Sequence, residues 1–472
     1  MSSAARHGGI AARSSAASSQ DAWPAKRIGK YLAAIVGCVA LVIYASSGGG
    51  GGVASGQSGT GGGTLRGDDA DQNAVGVKLP VGKPPRPNTG ERIDPHPDLV
   101  AERWIIVTSI NEVTDAVKAF AALPDWQVLV VGDKITPAGY EWPGVVYLSL
   151  DAQVRLGYET VNHLPVGVYP RKNVGYVYAI AHGAKLIYET DDDNAPTNEG
   201  DGVTVNPKLP ETGKGWPQLV PKIAKPSSSG KDPFRDPTSE YEWLAVNPYA
   251  YFDTDHLWPR GFPLSKIVEY SKWKVVPDNT AGKPATVQSY LADLDPDVDA
   301  LWRLTQGDRI GTIKFSREKE PVVLPRGVYC SHNAQNTIWY HEAFWAMLLP
   351  VTVTFRVTDI WRAYWGQRMQ WDLGHRVMYA PPTVDQVRNA HNYMSDMFEE
   401  EDLYRQTEDF LSFLNSWSSP SMDLPQRLKD LGRDMVAHGF LGPADRDLMN
   451  AWVNDLTRVG YEWPAVVASE LA

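Results

Sequence analysis

One stretch constrains the fold more than any other, "RKNVGYVYAIAHGAKLIYETDDD" from Arg171 to Asp193. Its Val174, Val177, Tyr178, Ala181 and Ala184 recur at helical i, i+3, i+4 spacing, and Gly183 supplies a stop. The apolar "KLIYET" that follows reads as a buried strand ending in Asp191, Asp192 and Asp193. Upstream, "RWIIVTSI" (Arg103–Ile110), "WQVLVVGD" (Trp126–Asp133) and "GVVYLSL" (Gly144–Leu150) read as three more strands, with "EVTDAVKAFAAL" a helix between the first two. Strands alternating with helices argue a parallel α/β sheet. Carboxylates at the carboxyl end of a strand in such a sheet lie where these sheets bind ligands. Side chains alternate along a strand, so Asp191 and Asp193 are expected on one face, with Asp192 on the other as a bystander or a hydrogen-bonded support.

Two carboxylates with open coordination positions suit Mg²⁺ or Mn²⁺, which prefer oxygen and keep places for phosphate. Such an ion neutralises a departing diphosphate, which is what transfer from a nucleotide sugar demands. An EF-hand is excluded, because Pro196 stands where that loop needs Gly and Gly202 where it needs Glu. A solvated acidic surface loop is the competing reading of the same three residues.

The formal net charge of −11, with no long basic run beyond the N-terminus, argues against a nucleic-acid partner. At 43% hydrophobic and 21% charged the chain is globular in composition. Its 17 Trp and 21 Tyr suit sugar rings as well as cores. Cys38 and Cys330 are its two cysteines, which leaves no disulfide framework and no cysteine zinc site.

Residues 1–30 form a basic tail expected on the cytoplasmic side, and 31–47, around "YLAAIVGCVALVIYA", a transmembrane signal anchor. A signal peptide cleaved near Ala45 is the rival. Residues 48–100, rich in Gly, Ser, Pro and Asp, read as a flexible stem. A domain over 101–418 and a helical extension over 419–472 complete the expected organisation. The Pro/Gly-rich segment 194–240 reads as a lid or a disordered insert. An eight-residue echo, "GYEWPGVV" (Gly139–Val146) and "GYEWPAVV" (Gly460–Val467), is too short for a structural repeat.

The run from "YPRKNVGY" to "ETDDD" resembles the STELLO family of probable Golgi glycosyltransferases. It is more distantly similar to the reversibly glycosylated polypeptides of plants, the UDP-arabinopyranose mutases. The likeness continues through "NPYAYF", "LWPRGFPL", "DPDVDALWRLT", "NAQNTIWYHEAFWAMLLPVTVTFRVTDIWRAYWGQR" and "APPTV", covering roughly Arg103 to Trp417. It implies the GT-A nucleotide-diphospho-sugar transferase fold, a mixed and mostly parallel sheet flanked by helices. It also implies type II Golgi membrane topology with a luminal catalytic domain.

Carried onto this chain, the resemblance makes Asp191 and Asp193 a DxD-type metal pair for Mn²⁺ or Mg²⁺. Asp193 is expected in direct contact and Asp191 on a ribose or a metal-bound water, with Asp192 beside them. Arg260 of "LWPRGFPL" matches the glycosylated arginine of the mutases and reads here as a phosphate or sugar contact, or else as a structural stack on Trp258. Asp297 and Asp299 read as a second pair for sugar or acceptor hydroxyls, or as an exposed turn. Asp359 is nominated as general base, with an N-cap as its alternative role, and Trp361 and Arg362 as substrate contacts. Asp133 is assigned to the nucleotide base or ribose, and Arg171 and Lys172 to the diphosphate. His332, His341 and His375 earn no role beyond His375 as a third-ligand candidate.

The expected donor is a nucleoside-diphosphate sugar, with UDP as the nucleotide, and the acceptor a glycan or protein. A nucleotide-sugar mutase is the enzymatic alternative. A non-catalytic scaffold for a polysaccharide synthase, which the family's association with cellulose synthase assembly suggests, is the other, and a homo-oligomer is a further candidate partner. The donor sugar does not follow from the motifs.

Overall fold

Strand β1 (Arg103–Ser109) is buried on both faces, with Trp104 and Ile106 in one core and Ile105 and Val107 in another. The same split holds in β2 (Gln127–Gly132), where Leu129 and Val131 face one core and Val128 and Val130 the other. A strand apolar on both sides must lie inside a sheet covered twice. Here the helix Asp115–Ala121 adds Ala116, Val117 and Phe120 to one cover, and the helix Lys172–Ala181 adds Val174, Val177 and Tyr178 to the other.

The computed structural model describes residues 82–85, 91–197, 215–222, 243–267, 272–277, 284–307, 312–387 and 391–471. After β1 and β2 come β3 (Val145–Leu148), β4 (Leu186–Thr190), β5 (Asn194–Pro196), β6 (Gln218–Pro221) and β7 (Leu244–Ala245). They are followed by β8 (Trp273–Val276), β9 (Ala285–Asp293), β10 (Val322–Val323), β11 (Val328–Tyr329), β12 (Asn336–Tyr340) and β13 (Arg376–Gln386). The main sheet runs β3-β2-β1-β4-β12-β9-β13-β10-β6-β8, with β5 paired to β13, while β7 and β11 form a small sheet of their own.

The half from β3 to β4 is all parallel, and beyond β4 antiparallel pairings enter with β12. The expected mixed sheet with flanking helices is therefore present, its parallel character concentrated in the half that the sequence pattern picked out. The helix Lys172–Ala181 can lie close on β1 and β2 because Gly175 leaves no side chain there. A Cβ at Gly175 would sit 2.6 Å from Val131 Cγ2 and 2.9 Å from Ile106 Cγ2. The helix ends as expected, with Gly183 at φ +86°.

Segment 194–240 is less irregular than its composition suggested. Asn194–Pro196 pairs with β13 and Gln218–Pro221 with β10 and β8, because sheet pairing outside the segment supplies the partners. The rest of it falls largely outside the described residues. So do the tail, the 31–47 anchor and most of the stem, and among the described residues no helix is long and apolar enough to cross a membrane.

The helix Phe355–Asp372 is buried from Arg356 onward. The helices Glu401–Ser416, Leu424–Ala437 and Pro443–Arg458 join the same core, and Asp445 accepts from the Val351 and Thr352 amides at 2.6 and 3.0 Å. Both copies of the "GYEWP" echo place a glycine at positive φ (Gly139 and Gly460) before a buried tyrosine, Tyr140 or Tyr461.

Candidate functional site

A cavity of about 630 Å³ opens at the carboxyl ends of β1, β2 and β4, a size usual for small-molecule sites. The topology puts it there. From β1 the chain builds β2 and β3 to one side and then returns to add β4 on the other, so the connections diverge and leave a crevice. Ser109 at the end of β1, Asp133 just beyond β2 and Asp191, Asp192 and Asp193 beyond β4 all line it.

β4 stops at Thr190, and the three aspartates occupy the turn before β5. Strand alternation therefore does not sort them, and all three line the cavity. Asp192, expected on the opposite face as a bystander or a bonded support, is heavily bonded and faces the cavity with the others. Its Oδ2 accepts from Ser109 Oγ at 2.5 Å and Asn111 Nδ2 at 3.0 Å, and its carbonyl from Thr114 Oγ1 at 2.7 Å. Thr114 also caps the helix Asp115–Ala121, which ties that helix to the aspartate turn.

Asp191 Oδ1 accepts from Tyr169 Oη at 3.0 Å and from the buried Lys172 Nζ at 3.1 Å. Burial raises the Asp191 carboxyl above its ordinary pKa, and the Lys172 charge works against that rise. Asp193 accepts from Asn194 Nδ2 at 3.2 Å and Gln386 Nε2 at 3.3 Å, both neutral amides at long range. Among the described residues no three His, Cys, Asp or Glu side chains are arranged to enclose a metal. Mg²⁺ and Mn²⁺ completed by phosphate and water need only one or two carboxylates. Asp193 and Asp191 Oδ2 offer that chemistry.

Lys172 meets Asp191 itself and donates to Thr190 O at 2.6 Å, so it is built into the turn. Arg171 does not present its guanidinium to a ligand. Nε and Nη2 both bond Gln153 Oε1, and Nη1 donates to the carbonyls of Leu164 and Pro165 at 3.1 and 3.2 Å. Burial pulls its pKa down to about 10, with Asp133 opposing. Asp133 is likewise occupied, accepting from the Gly167 amide with both oxygens and from Val168 N at 3.0 Å. These two residues shape the loop before the helix Lys172–Ala181.

Deeper in the cavity Arg260 clamps two carboxylates. Its Nε and Nη2 reach Asp297 Oδ1 and Oδ2, both at 2.9 Å, and its Nη1 and Nη2 reach Asp359 Oδ1 and Oδ2 at 3.1 and 3.0 Å. Nη1 also donates to Arg356 O. Burial works to strip the guanidinium of its proton, but Asp297 and Asp359 outweigh it and hold the pKa well above the ordinary value. A guanidinium committed in this way orients its partners and has little left for a phosphate.

Asp359 accepts further from Ala334 N at 3.1 Å and Ile360 N at 3.0 Å. Its acceptor positions are filled, so it suits a positioning role better than proton abstraction. Nor is it the N-cap of its helix, since that place belongs to Thr354.

Asp299 and Trp258 do not line the cavity. Trp258 Nε1 donates to Asp299 Oδ2 at 2.6 Å, and Asp299 Oδ1 caps the helix Ala300–Gln306 through Trp302 N at 2.8 Å. "PDVDA" thus divides, with Asp297 going to the cavity and Asp299 to a buried cap, where the sequence suggested one face or an exposed turn.

Burial, and then Glu400, push Asp299 from 3.8 up to about 7. The native state therefore holds a proton the unfolded chain lacks between those values. The stabilisation is complete below about pH 4 and lost as pH rises through 7, a difference of roughly 4 kcal/mol. Asp299→Asn does not titrate and keeps one acceptor oxygen, enough for the helix cap at Trp302 N but not for the Trp258 indole as well. It is expected to flatten the decline in the urea midpoint between pH 5 and 8. An unchanged decline would show that Asp299 is not its source.

Trp361 and Arg362 also lie away from the cavity. Trp361 stacks on Phe410 at 4.7 Å. Arg362 pairs with Glu189 at 2.8 Å and lies over the Trp339 ring, in a fully buried network with Tyr176. The helix turns them to the core while Phe355, Thr358 and Asp359 face the cavity. His332, His341 and His375 are absent from the lining. Burial lowers His332 to about 3 and His375 to about 4, so both are neutral. His391, Tyr169, Phe355 and Glu399 line the cavity instead, and no spacing signal in the sequence marks them.

Residues 356–472 match the family model described as STELLO glycosyltransferases. The chain is 33% identical over 393 residues to "Probable glycosyltransferase STELLO1" of Arabidopsis thaliana, a match covering 82% of this chain and 48% of that protein. The chain is a relative of the STELLO glycosyltransferases. It is 32% identical over 389 residues to "Probable glycosyltransferase STELLO2" from the same plant, covering 81% of this chain and 48% of that one. It thus spans about half the length of the curated STELLO relatives it matches. The matched segment 356–472 includes Asp359 and Glu399 but not the aspartate turn, which falls outside the family model's span.

Proposed function

We propose that the chain is a nucleotide-sugar-dependent glycosyltransferase of GT-A type that moves a sugar onto a glycan or protein acceptor. One observation carries this reading. A single cavity at the sheet's switch point joins the Asp191–Asp193 turn to the Arg260, Asp297 and Asp359 cluster. The names of the STELLO relatives support the reaction class.

Mg²⁺ or Mn²⁺ would be held by Asp193 and Asp191, and would supply charge neutralisation for the diphosphate leaving group. The protein's own residues prepare the rest. Ser109, Asn111 and Thr114 fix the aspartate turn, Lys172 and Tyr169 hold Asp191, and Arg260 orients Asp297 and Asp359. The acceptor hydroxyl oxygen attacks the anomeric carbon as the bond to the nucleoside diphosphate breaks, and the hydroxyl proton passes to the departing diphosphate or to solvent. The same proposal includes a type II anchor at 31–47 and a Golgi-luminal domain, supported by the apolar run and its basic flank.

The mutase alternative drew on Arg260 as a glycosylation point. With that guanidinium buried between two carboxylates, the alternative keeps only its likeness around the aspartate turn.

Calorimetric titration of the full chain with UDP- and GDP-sugars, with and without Mn²⁺, tests the reading. It expects at least one donor to bind with a dissociation constant between about 1 µM and 1 mM, only with the ion present. No binding by any donor favours the scaffold alternative.

A further inference from the structure

We propose that Phe355 and Glu399, at the outer end of the cavity, form the acceptor subsite and receive the ring of a neutral sugar within a glycan. The proposal rests on the glycosyltransferase reading and names the substrate class on its acceptor side.

The helix Phe355–Asp372 is buried at every residue after its first, yet Phe355 is 55% exposed and lines the cavity. An aromatic ring left in water beside a cavity presents apolar surface that gains from being covered. Its position is fixed, because it meets the Tyr169 ring edge-on at 5.3 Å and 88°. A pyranose is built to cover such a ring, with C–H groups on its faces and hydroxyls around its edge.

Hydroxyls need acceptors, and Glu399 provides one. It ends the helix Tyr393–Glu399, and its carbonyl receives Thr354 Oγ1, so the two residues stand where two helix ends are joined. The Glu399 side chain lines the cavity and has no hydrogen-bond or ion-pair partner among the described residues. Its neighbour Glu400 contrasts sharply, being buried and bonded to Arg356, Ala300 N and Tyr404. A carboxylate left open beside an exposed ring is the pairing that holds a polyol by one face and one edge.

Tyr169 connects this end to the donor end. Its ring supports Phe355 while its hydroxyl donates to Asp191. Phe355 and Asp359 lie one turn apart on a single helix, a rise of about 6 Å. A sugar on Phe355 therefore reaches toward the Arg260 clamp with its edge. Glu399, Asp396 and the aspartate turn line one cavity and would repel an acidic sugar, which is why the ligand is neutral.

The test uses the full chain and two sets of probes. Neutral cello-, manno- and xylo-hexaoses, an oligogalacturonate and an unglycosylated peptide library are titrated beside UDP-sugars with Mn²⁺. At least one neutral hexaose is expected to bind. Phe355→Ala should weaken it by about tenfold and Glu399→Gln by about fivefold, while UDP-sugar affinity and thermal midpoint stay level. Asp193→Asn should do the reverse, weakening the donor and sparing the hexaose. The proposal is overturned if no neutral hexaose binds, if the oligogalacturonate or peptides bind in its place, or if Phe355→Ala leaves the affinity unchanged. Hexaose binding without donor binding would keep this subsite and remove the transferase reading.

Discussion

Replacing Arg260 with Met is expected to cost about 3–5 kcal/mol of stability, the usual loss when one partner of a buried ion pair is removed. The size comes from what is left behind. Asp297 and Asp359 are almost fully buried, and each loses two hydrogen bonds from the same guanidinium. Two carboxylates would then face each other in a low-dielectric interior without the guanidinium that joins them. Arg260→Lys should recover little, since an ammonium cannot bridge both carboxylates as the planar fork does. Changing Asp297 and Asp359 to Asn together with Arg260→Met should restore much of the stability while leaving the site inactive. Urea unfolding of the three variants checks this, and a harmless Arg260→Met would show that the clamp is not structural.

The second large effect concerns the aspartate turn. Asp193→Asn is expected to weaken Mn²⁺-dependent donor binding by about a hundredfold, near 2.7 kcal/mol, with little change in the thermal midpoint. An Asn in this place still offers an oxygen to the neutral amides of Asn194 and Gln386 that reach Asp193. Asp191→Ala should differ in kind. It leaves Lys172, fully buried, without its carboxylate, so stability should fall along with donor affinity. A calorimetric series beside thermal melts separates the two patterns. Equal donor affinity in Asp193→Asn and the parent would remove Asp193 from the site.

The parallel half of the fold was legible because it is local. β1, β2, β3 and β4 are short apolar runs, and the helix before β4 carries its 3.6-residue period and its glycine stop in the sequence. The sheet's other half was not, because β9, β12 and β13 take their places by pairing across long separations, and runs such as "NAP" in β5 become strands only when β13 is beside them. The same distinction governs the site. Asp191–Asp193 could be read because a charged trio after an apolar strand is anomalous.

The fate of the other charged residues depends on partners remote in sequence. Asp297 and Asp299 differ in role although two residues apart, since Arg260 meets one and Trp258 the other. Arg362 resembled a ligand contact in sequence, but Glu189, 173 residues away, claims it. Glu399 sits in the acidic run "EEED", and its place at the cavity, against the buried bonds of Glu400, comes from packing that the run itself does not show.

The most direct measurement of the central claim is an anomalous difference map from crystals grown with Mn²⁺ and UDP. The account expects one manganese peak in the cavity, about 2.0–2.2 Å from a carboxylate oxygen of Asp193 or Asp191 and bridged to the nucleotide diphosphate. A nucleotide bound elsewhere, or a manganese peak away from the aspartate turn, would contradict it.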